Sequence, residues 1–410
     1  MSSFDYRDGI MHAEDVSLAR IAAEVGTPVH VYSAGALRHA ADGFSAALAN
    51  LPVARLAFAV KANPNAAVLG LLAGCGYGAD IVSGGELRRA ITAGMNPRDV
   101  VFSGVGKTDA EMVAALDAGI GQFNLELEEE GRVLSDLARA RGVRAPAVLR
   151  VNPDVDAGTH AKISTGSREN KFGVPIAKAP VMYDRLSKLD GLDLRGVALH
   201  IGSQLRDLEP LERAYTRIGE LLQVLREAGH AVTQVDLGGG LGISYTQGEL
   251  APSAEDYARM VSRATAGWNV ALTFEPGRVI VGAAGVLLTR VIWVKPGVTH
   301  PYVIVDAAMN DLARPALYGA YHRFEAVEPR GGRMVANVAG PVCETGDTFA
   351  LGREIDDVCR GDLAVLHTTG AYGAAMASTY NCRPISPQVL VDGDDYAIVG
   401  DRSSPLELAA

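Results

Sequence analysis

The sequence predicts an α/β protein, a (β/α)8 TIM barrel plus a C-terminal, mostly antiparallel β domain. Three observations predict it. From about residue 53, eight short apolar runs alternate with longer amphipathic segments. Polar and charged side chains gather at the C-terminal ends of those runs. After about residue 278 strand-like runs continue, while most of the helical patterns between them stop. The length agrees, because 410 residues exceeds the roughly 250–300 at which a single hydrophobic core stops growing, so two domains are expected.

In chain order the eight runs are Arg55–Val60, Ala79–Val82, Val100–Phe102, Gln122–Leu125, Ala147–Val151, Gly196–Leu199, Val232–Leu237 and Val270–Phe274. Most are continuous and apolar, as parallel strands covered on both faces must be. The segments between them read as helices, for example Glu126–Arg141 and Leu208–Ala228. In the second of these Leu211, Tyr215, Ile218, Leu222 and Leu225 fall on one helical face. Eight strand–helix units suit a closed barrel. An open doubly wound sheet is the competing arrangement, and the strand count favours the barrel. Downstream, Gly285–Val294, Tyr302–Asp306, Arg333–Val338, Asp362–His367 and Tyr396–Gly400 read as strands between Gly, Pro and Asp turns.

Hydrophobic residues make up 48% and charged residues 21% of the chain, a balance that excludes a largely disordered protein. The formal net charge of −10 argues against nucleic acid or an anionic membrane as a partner. None of the four cysteines, Cys75, Cys343, Cys359 and Cys382, forms a C-x-x-C pair. Neither a zinc knuckle nor a thioredoxin motif is offered, and a reducing compartment is expected. The first residues lack a basic then apolar stretch, and the longest near-apolar run, Val279–Leu288, is far short of the roughly 20 residues that span a bilayer. The expectation is a soluble, cytoplasmic protein.

Three common motifs fail on inspection. Gly106-Lys107-Thr108 ends like a phosphate-binding P-loop, but Val101 stands where its first glycine belongs. Gly238-Gly239-Gly240-Leu241-Gly242 follows a strand, yet Ile243 takes the third glycine position of G-x-G-x-x-G. No H-E-x-x-H or other metal-ligand spacing occurs, so no metal is expected. What remains lies at the strand ends, which in a barrel share one mouth. Lys61 terminates Leu56-Ala57-Phe58-Ala59-Val60. Most lysines are merely solvated, but an amine desolvated at a barrel mouth loses its proton more readily and can attack an aldehyde. Gly238–Gly240 follows the seventh run, and Glu275-Pro276-Gly277-Arg278 follows the eighth. One glycine would be an ordinary turn. Three in a row can ring a phosphate with backbone N–H groups, with Arg278 as a nearby cation. Glu275 is either a surface acid or a partner for a pyridinium nitrogen. His200, at the end of the sixth run, is either a structural histidine or a ring lying on a flat cofactor. Cys343-Glu344-Thr345-Gly346, Gly370-Ala371-Tyr372-Gly373 and Arg314 mark polar loops of the second domain.

Together these residues resemble the alanine-racemase-like group of pyridoxal-phosphate enzymes, and within it the diaminopimelate decarboxylase family. The resemblance rests on Phe58-Ala59-Val60-Lys61-Ala62-Asn63, His200-Ile201-Gly202-Ser203-Gln204, Gly238–Gly240, Glu275–Arg278, Met309–Tyr318, Cys343-Glu344 and Gly370–Gly373. Thr159–Gly166, followed by Asn170-Lys171-Phe172-Gly173, separates the chain from ornithine decarboxylases of the eukaryotic type. The resemblance implies pyridoxal 5'-phosphate as cofactor, held as a Schiff base on Lys61. It implies decarboxylation of meso-2,6-diaminopimelate to L-lysine and CO2, the last step of lysine biosynthesis. It implies Lys61, Cys343, His200 and Glu275 as catalytic residues. Cofactor contacts would come from Lys61, Asp80, His200, Ser203, Gly239, Gly240, Glu275, Gly277, Arg278 and Tyr372, and substrate contacts from Arg278, Arg314, Tyr318, Glu344 and Tyr372. The barrel would span residues 34–277, and residues 1–33 with 278–410 would form a β-sandwich-like domain that the strand near Val29–Tyr32 joins. The family implies a homodimer with shared active sites. A related decarboxylase of ornithine, arginine or carboxynorspermidine is the alternative enzyme. A pyridoxal-phosphate carrier or an antizyme-inhibitor-like regulator is the alternative outside catalysis; the second domain argues against the carrier, and the intact lysine and phosphate loops argue against the regulator.

Overall fold

Eight parallel strands close on themselves in a computed structural model that describes residues 4–158, 170–246 and 248–403. They are β1 (Val53–Ala59), β2 (Gly78–Ile81), β3 (Val100–Phe102), β4 (Gln122–Leu125), β5 (Ala145–Asn152), β6 (Leu192–Ala198), β7 (Gln234–Asp236) and β8 (Ala271–Phe274). Each pairs with its successor, and β8 pairs back onto β1 through Thr273↔Arg55 and Phe274↔Leu56. The closed barrel expected from the strand count is therefore present, and the open sheet is not. A two-residue strand, Val174–Pro175, adds to β5 outside the ring.

Helices occupy the intervals where the sequence has helical periodicity. Glu209–Glu227 carries Pro210 in its first turn and buries the stripe read from the sequence, Leu211, Tyr215, Ile218, Leu222 and Leu225, together with Ala214 and Leu221. Asp109–Ala118 starts at a capping box in which Thr108 and Glu111 satisfy each other's backbone N–H. The strand interiors depart from the apolar reading at one level. Gln122, Asn124, Gln234, Asp236 and Thr273 are all buried and hydrogen-bond to one another inside the ring. These positions lie two apart on their strands, so both members of each pair face the barrel axis.

Outside the barrel lie a small antiparallel sheet of Phe4–Arg7, Ile10–Ala13 and Val16–Ser17 and a larger, mostly antiparallel sheet. Its strands run Thr348–Asp356, Arg333–Ala339, Tyr302–Val305, Gly285–Lys295, Val29–Ser33, Gln388–Asp392 and Asp395–Gly400, and Leu363–Leu366 joins Gly285–Lys295 to Phe324–Ala326. Two pairings are parallel, Tyr302–Val305 with Arg333–Ala339 and Val29–Ser33 with Gln388–Asp392. Successive residues of the long strand Gly285–Lys295 feed different cores. Leu287 and Val291 pack with Phe324 and Phe349, whereas Val286 and Leu288 pack with Val31 and Val389.

The chain divides into two units. One contains Ala41–Ile243 and Leu250–Arg278, and the other Met1–Ala40, Ser244–Glu249 and Val279–Ala410. One division falls inside helix Ala34–Ala47, and the short segment Ser244–Glu249 goes with the sheet unit because Tyr245 packs there.

His30 sits in the middle of Val29–Ser33, fully buried, and burial pushes its pKa down to about 4. The folded state therefore keeps this imidazole neutral where the unfolded chain, with a pKa near 6.5, would protonate it. Its contribution to stability is whole above pH 6.5 and is lost as pH falls through 4, by roughly 3 kcal/mol. His30→Leu should flatten the decline of unfolding free energy between pH 6.5 and 4 by about that amount in urea titrations. Parallel declines in the two proteins would assign the acid sensitivity to other groups.

Candidate active site

Where β1 ends, a short helical turn, Val60–Ala62, carries Lys61. The register sets Asp80 of β2 opposite Ala59 of β1, and Lys61 Nζ lies 2.5 Å from Asp80 Oδ2. Asp80 is wholly buried, while 37% of the Lys61 side chain remains exposed. The other carboxylate oxygen, Asp80 Oδ1, is buried with no hydrogen-bond partner among the described residues. Such an oxygen is costly unless a further donor reaches it.

The loops after β7 and β8 are knitted to the same corner. The Glu275 N–H donates to Gly238 O at 2.8 Å, and the Ala59 N–H donates to Pro276 O at 3.0 Å. Gly238 and Gly240 have φ of +65° and +110°, values that favour glycine. Added Cβ atoms at Gly238, Gly239 and Gly240 would fall 2.4, 2.1 and 2.3 Å from the carbonyl oxygens of Leu199, Glu275 and Gly202. A Cβ at Gly277 would meet Ala59 and Ala62, on either side of Lys61, at 3.0 and 3.3 Å. The backbone here is packed too closely for side chains, which leaves a cradle walled by main chain. Arg278, itself buried, donates through Nη2 to Ser203 Oγ at 3.1 Å.

His200 follows β6, and its Nδ1 accepts the Gly239 N–H at 3.3 Å. Desolvation, then the nearby cations Arg150 and Lys61, hold its pKa well below the ordinary imidazole value. The ring is therefore neutral, with its proton on Nε2. Glu275 shows the opposite shift. Burial, then the negative charges of Asp236 and Asp80, push its carboxyl well above the usual range, and Lys61 only partly offsets them. Burial likewise raises Asp236.

Beside the mouth, Arg150 Nη1 pairs with Glu126 Oε1 at 2.9 Å, and Arg150 Cζ lies 4.9 Å from the centre of the Phe172 ring. Glu126 Oε2 accepts the Gly173 N–H at 2.6 Å. These contacts anchor Phe172-Gly173; the preceding motif Thr159–Gly166 lies outside the described residues.

Within the sheet unit, Arg314 opens the short helix Arg314–Tyr318, so Tyr318 lies one turn from it. Arg314 is buried, 2.9 Å from His322 Nε2 and 4.8 Å from the centre of the Tyr245 ring. His322 Nδ1 is 2.8 Å from His367 O. A carbonyl can only accept, so Nδ1 carries the proton and Nε2 accepts from Arg314. Cys343 and Glu344 are exposed, and Glu344 hydrogen-bonds Tyr380, raising the phenol's pKa. Tyr372 holds a positive φ of 58° in the loop after Gly370.

Asp347, which the sequence reading passed over, ties these loops together. Its two oxygens accept the Met309 N–H at 2.6 Å and the Val342 N–H at 2.7 Å. Asn310 Nδ2 then donates to Ser378 O at 3.1 Å and Tyr380 O at 2.8 Å. The sequence also gave no notice of His322 or Tyr245, which meet Arg314 only through tertiary packing. Gln122 and Gln234 did leave a signal, a polar residue two before another polar residue in each of two apolar strands.

The structure thus brings Lys61, Asp80, His200, Ser203, Gly239, Gly240, Glu275, Gly277 and Arg278 to one end of the barrel. It places Arg314 and Tyr318 on a short helix, and Cys343, Glu344 and Tyr372 in loops, of the sheet unit. Among the described residues there is no cluster of three or more His, Cys, Asp or Glu that could hold a metal ion, and no helix long and apolar enough to cross a membrane.

A family model described as "Pyridoxal-dependent decarboxylase, pyridoxal binding domain" matches residues 37–282. A diaminopimelate decarboxylase of Zymomonas mobilis is 48% identical over 411 residues, covering 100% of this chain and 98% of that protein. One from Pseudomonas aeruginosa is 47% identical with the same coverage. The solved diaminopimelate decarboxylase of M. jannaschii in complex with L-lysine superposes with a TM-score of 0.95 at 32% identity, over 100% of this chain and 98% of that one. The chain belongs to the pyridoxal-dependent decarboxylases and, within them, to the diaminopimelate decarboxylase family.

Removing the Asp347 carboxylate strands two inward-facing amides. Asp347→Ala should lower the unfolding free energy by about 2–4 kcal/mol in urea. A loss below about 0.5 kcal/mol would show that Asp347 does not hold these loops.

Proposed function

We propose that this chain decarboxylates meso-2,6-diaminopimelate to L-lysine and CO2 with pyridoxal 5'-phosphate as its cofactor, as the last step of lysine biosynthesis. The observation that carries the reading is the corner of the barrel where Lys61, the glycine cradle and Glu275 meet. It combines an amine, a glycine turn walled by main chain and a buried acid, three groups suited to a phosphorylated pyridine aldehyde. The orphaned Asp80 Oδ1 and the buried Arg278 beside Ser203 fit the same ligand. The full-length similarity to diaminopimelate decarboxylases supports it further.

Bound there, the cofactor would supply an electron sink for the pair left on Cα when CO2 departs. This chain's residues would do the rest. Lys61 would provide the amine that holds the aldehyde carbon, with Asp80 orienting it. Gly239, Gly240, Ser203, Gly277, Arg278 and Tyr372 would hold the phosphate and its surroundings. Neutral His200 would lie against one ring face without adding a charge, and Glu275 would hold a proton facing the ring nitrogen. Cys343 would return a proton to Cα. The assembly this reading implies is a cytoplasmic homodimer with shared active sites.

Substrate choice follows from charge. The far end of diaminopimelate bears both a carboxylate and an ammonium group. Arg278 and Arg314, with Tyr318, would take the carboxylate, and Glu344 the ammonium. Arg314 is suited to this, because His322 and Tyr245 fix its position. A desolvated carboxylate left without its cation costs about 3–5 kcal/mol, or roughly 10²- to 10³-fold in kcat/KM.

Purified protein loaded with pyridoxal phosphate should release CO2 and L-lysine from meso-diaminopimelate, and should turn over ornithine and arginine far less well. Arg314→Ala should lose roughly 10²-fold or more in kcat/KM while retaining the cofactor absorbance. Preferential turnover of ornithine would reassign the enzyme, and an unchanged kcat/KM in Arg314→Ala would remove that residue from substrate binding.

A further inference from the structure

We propose that Asp236 is a positioning residue that sets, from one buried carboxylate, both the first glycine of the triplet and the carboxyl group of Glu275. The inference deepens the functional reading above and rests on it.

Asp236 ends β7 and is fully buried. Its Oδ1 accepts the Gly238 N–H at 2.9 Å, the contact with the backbone two residues on by which an aspartate starts a turn. The chain turns there into the left-handed conformation of Gly238. Asp236 Oδ2 accepts Gln122 Nε2 at 2.7 Å and lies 3.4 Å from Asn124 Nδ2. Gln122 is held in that orientation from behind, because its Oε1 accepts from Gln234 Nε2 and from Arg55 Nη1. The amides inside the barrel therefore turn their N–H ends toward Asp236.

Glu275 has weaker donors. Its Oε1 is 3.3 Å from Asn124 Nδ2 and 3.4 Å from Ser103 Oγ, and it shares a hydrogen bond with Asp236. Two carboxyl groups in contact inside a protein do not both ionise. Two short N–H donors, from Gly238 and Gln122, stabilise a negative charge on Asp236, whereas Asn124 is shared by both carboxyl groups at long range and Glu275 has only long contacts. The pair thus holds one charge and one proton, with the charge on Asp236 and the proton on Glu275. A basic ring nitrogen docking against Glu275 can take that proton as it becomes a cation. Two carboxylates and one cation then replace one carboxylate and one neutral acid, and the total charge is unchanged. The other ionisable groups facing the pair are Lys61 and Asp80 on the Glu275 side, and Arg55, Tyr215 and Tyr257 around Asp236.

The test is infrared difference spectroscopy of the full-length protein stripped of cofactor. The wild type minus Glu275→Gln spectrum at pH 7 should show the C=O stretch of a neutral carboxyl group. In Asp236→Asn that band should disappear at a lower pH than in wild type, because the neighbouring negative charge is gone. No Glu275-dependent band at pH 7 overturns the inference. So does a band whose titration is unmoved in an Asp236→Asn protein with wild-type circular dichroism. Should Asp236→Asn fail to fold, the wild type minus Glu275→Gln spectrum decides alone. Turnover of meso-diaminopimelate by the same wild-type preparation separates the two claims. Turnover without the band removes the role of Asp236 and leaves the functional reading standing, whereas the band without turnover removes the functional reading.

Discussion

The pairing of β8 with β1 is the constraint on which the site depends. Lys61 and the Glu275–Arg278 loop stand more than two hundred residues apart in the chain, and closure of the ring makes them neighbours. The Ala59 N–H bond to Pro276 O and the close approach of Gly277 to Ala59 and Ala62 are local consequences of that closure. Burial does the rest. Burial and the neighbouring negative charges at this end of the barrel raise the affinity of Asp236 and Glu275 for protons. Lys61 is the ammonium group placed against Asp80.

Much of this was legible in the sequence, for a physical reason. Parallel strands covered on both faces are mostly apolar, so the eight stood out as runs, and the polar residues ending them marked the mouth. Lys61, His200 and Glu275 stood out because each interrupts such a run at its C-terminal end. The interior glutamines were harder to see. Gln122 and Gln234 lie inside strands, where a polar residue on alternate positions is as consistent with an outward face as with a polar barrel axis. In the sheet unit Thr348–Asp356 escaped notice because its Gly352, Arg353 and Glu354 break the alternation expected of a strand. Asp347, His322 and Tyr245 had no signal of their own. Their partners lie between 5 and 77 residues away, and only the folded loops bring them together.

Arg314 is a buried cation whose planar group is fixed by an imidazole and a phenol ring, and a fixed guanidinium recognises a carboxylate with less loss of side-chain freedom than a mobile one. Asp347 and Asn310 hold the neighbouring loops through main-chain groups, so their effect does not depend on the loops' own side chains. Buried Asp347 accepts the backbone N–H of Val342, next to the exposed Cys343 and Glu344.

The most direct measurement is to load the protein with pyridoxal phosphate, reduce it with borohydride and map the modified peptide by mass spectrometry. The expected result is a single pyridoxyl group on the peptide containing Lys61. Stoichiometric labelling of any other lysine, or no label in a protein that still decarboxylates diaminopimelate, would contradict it.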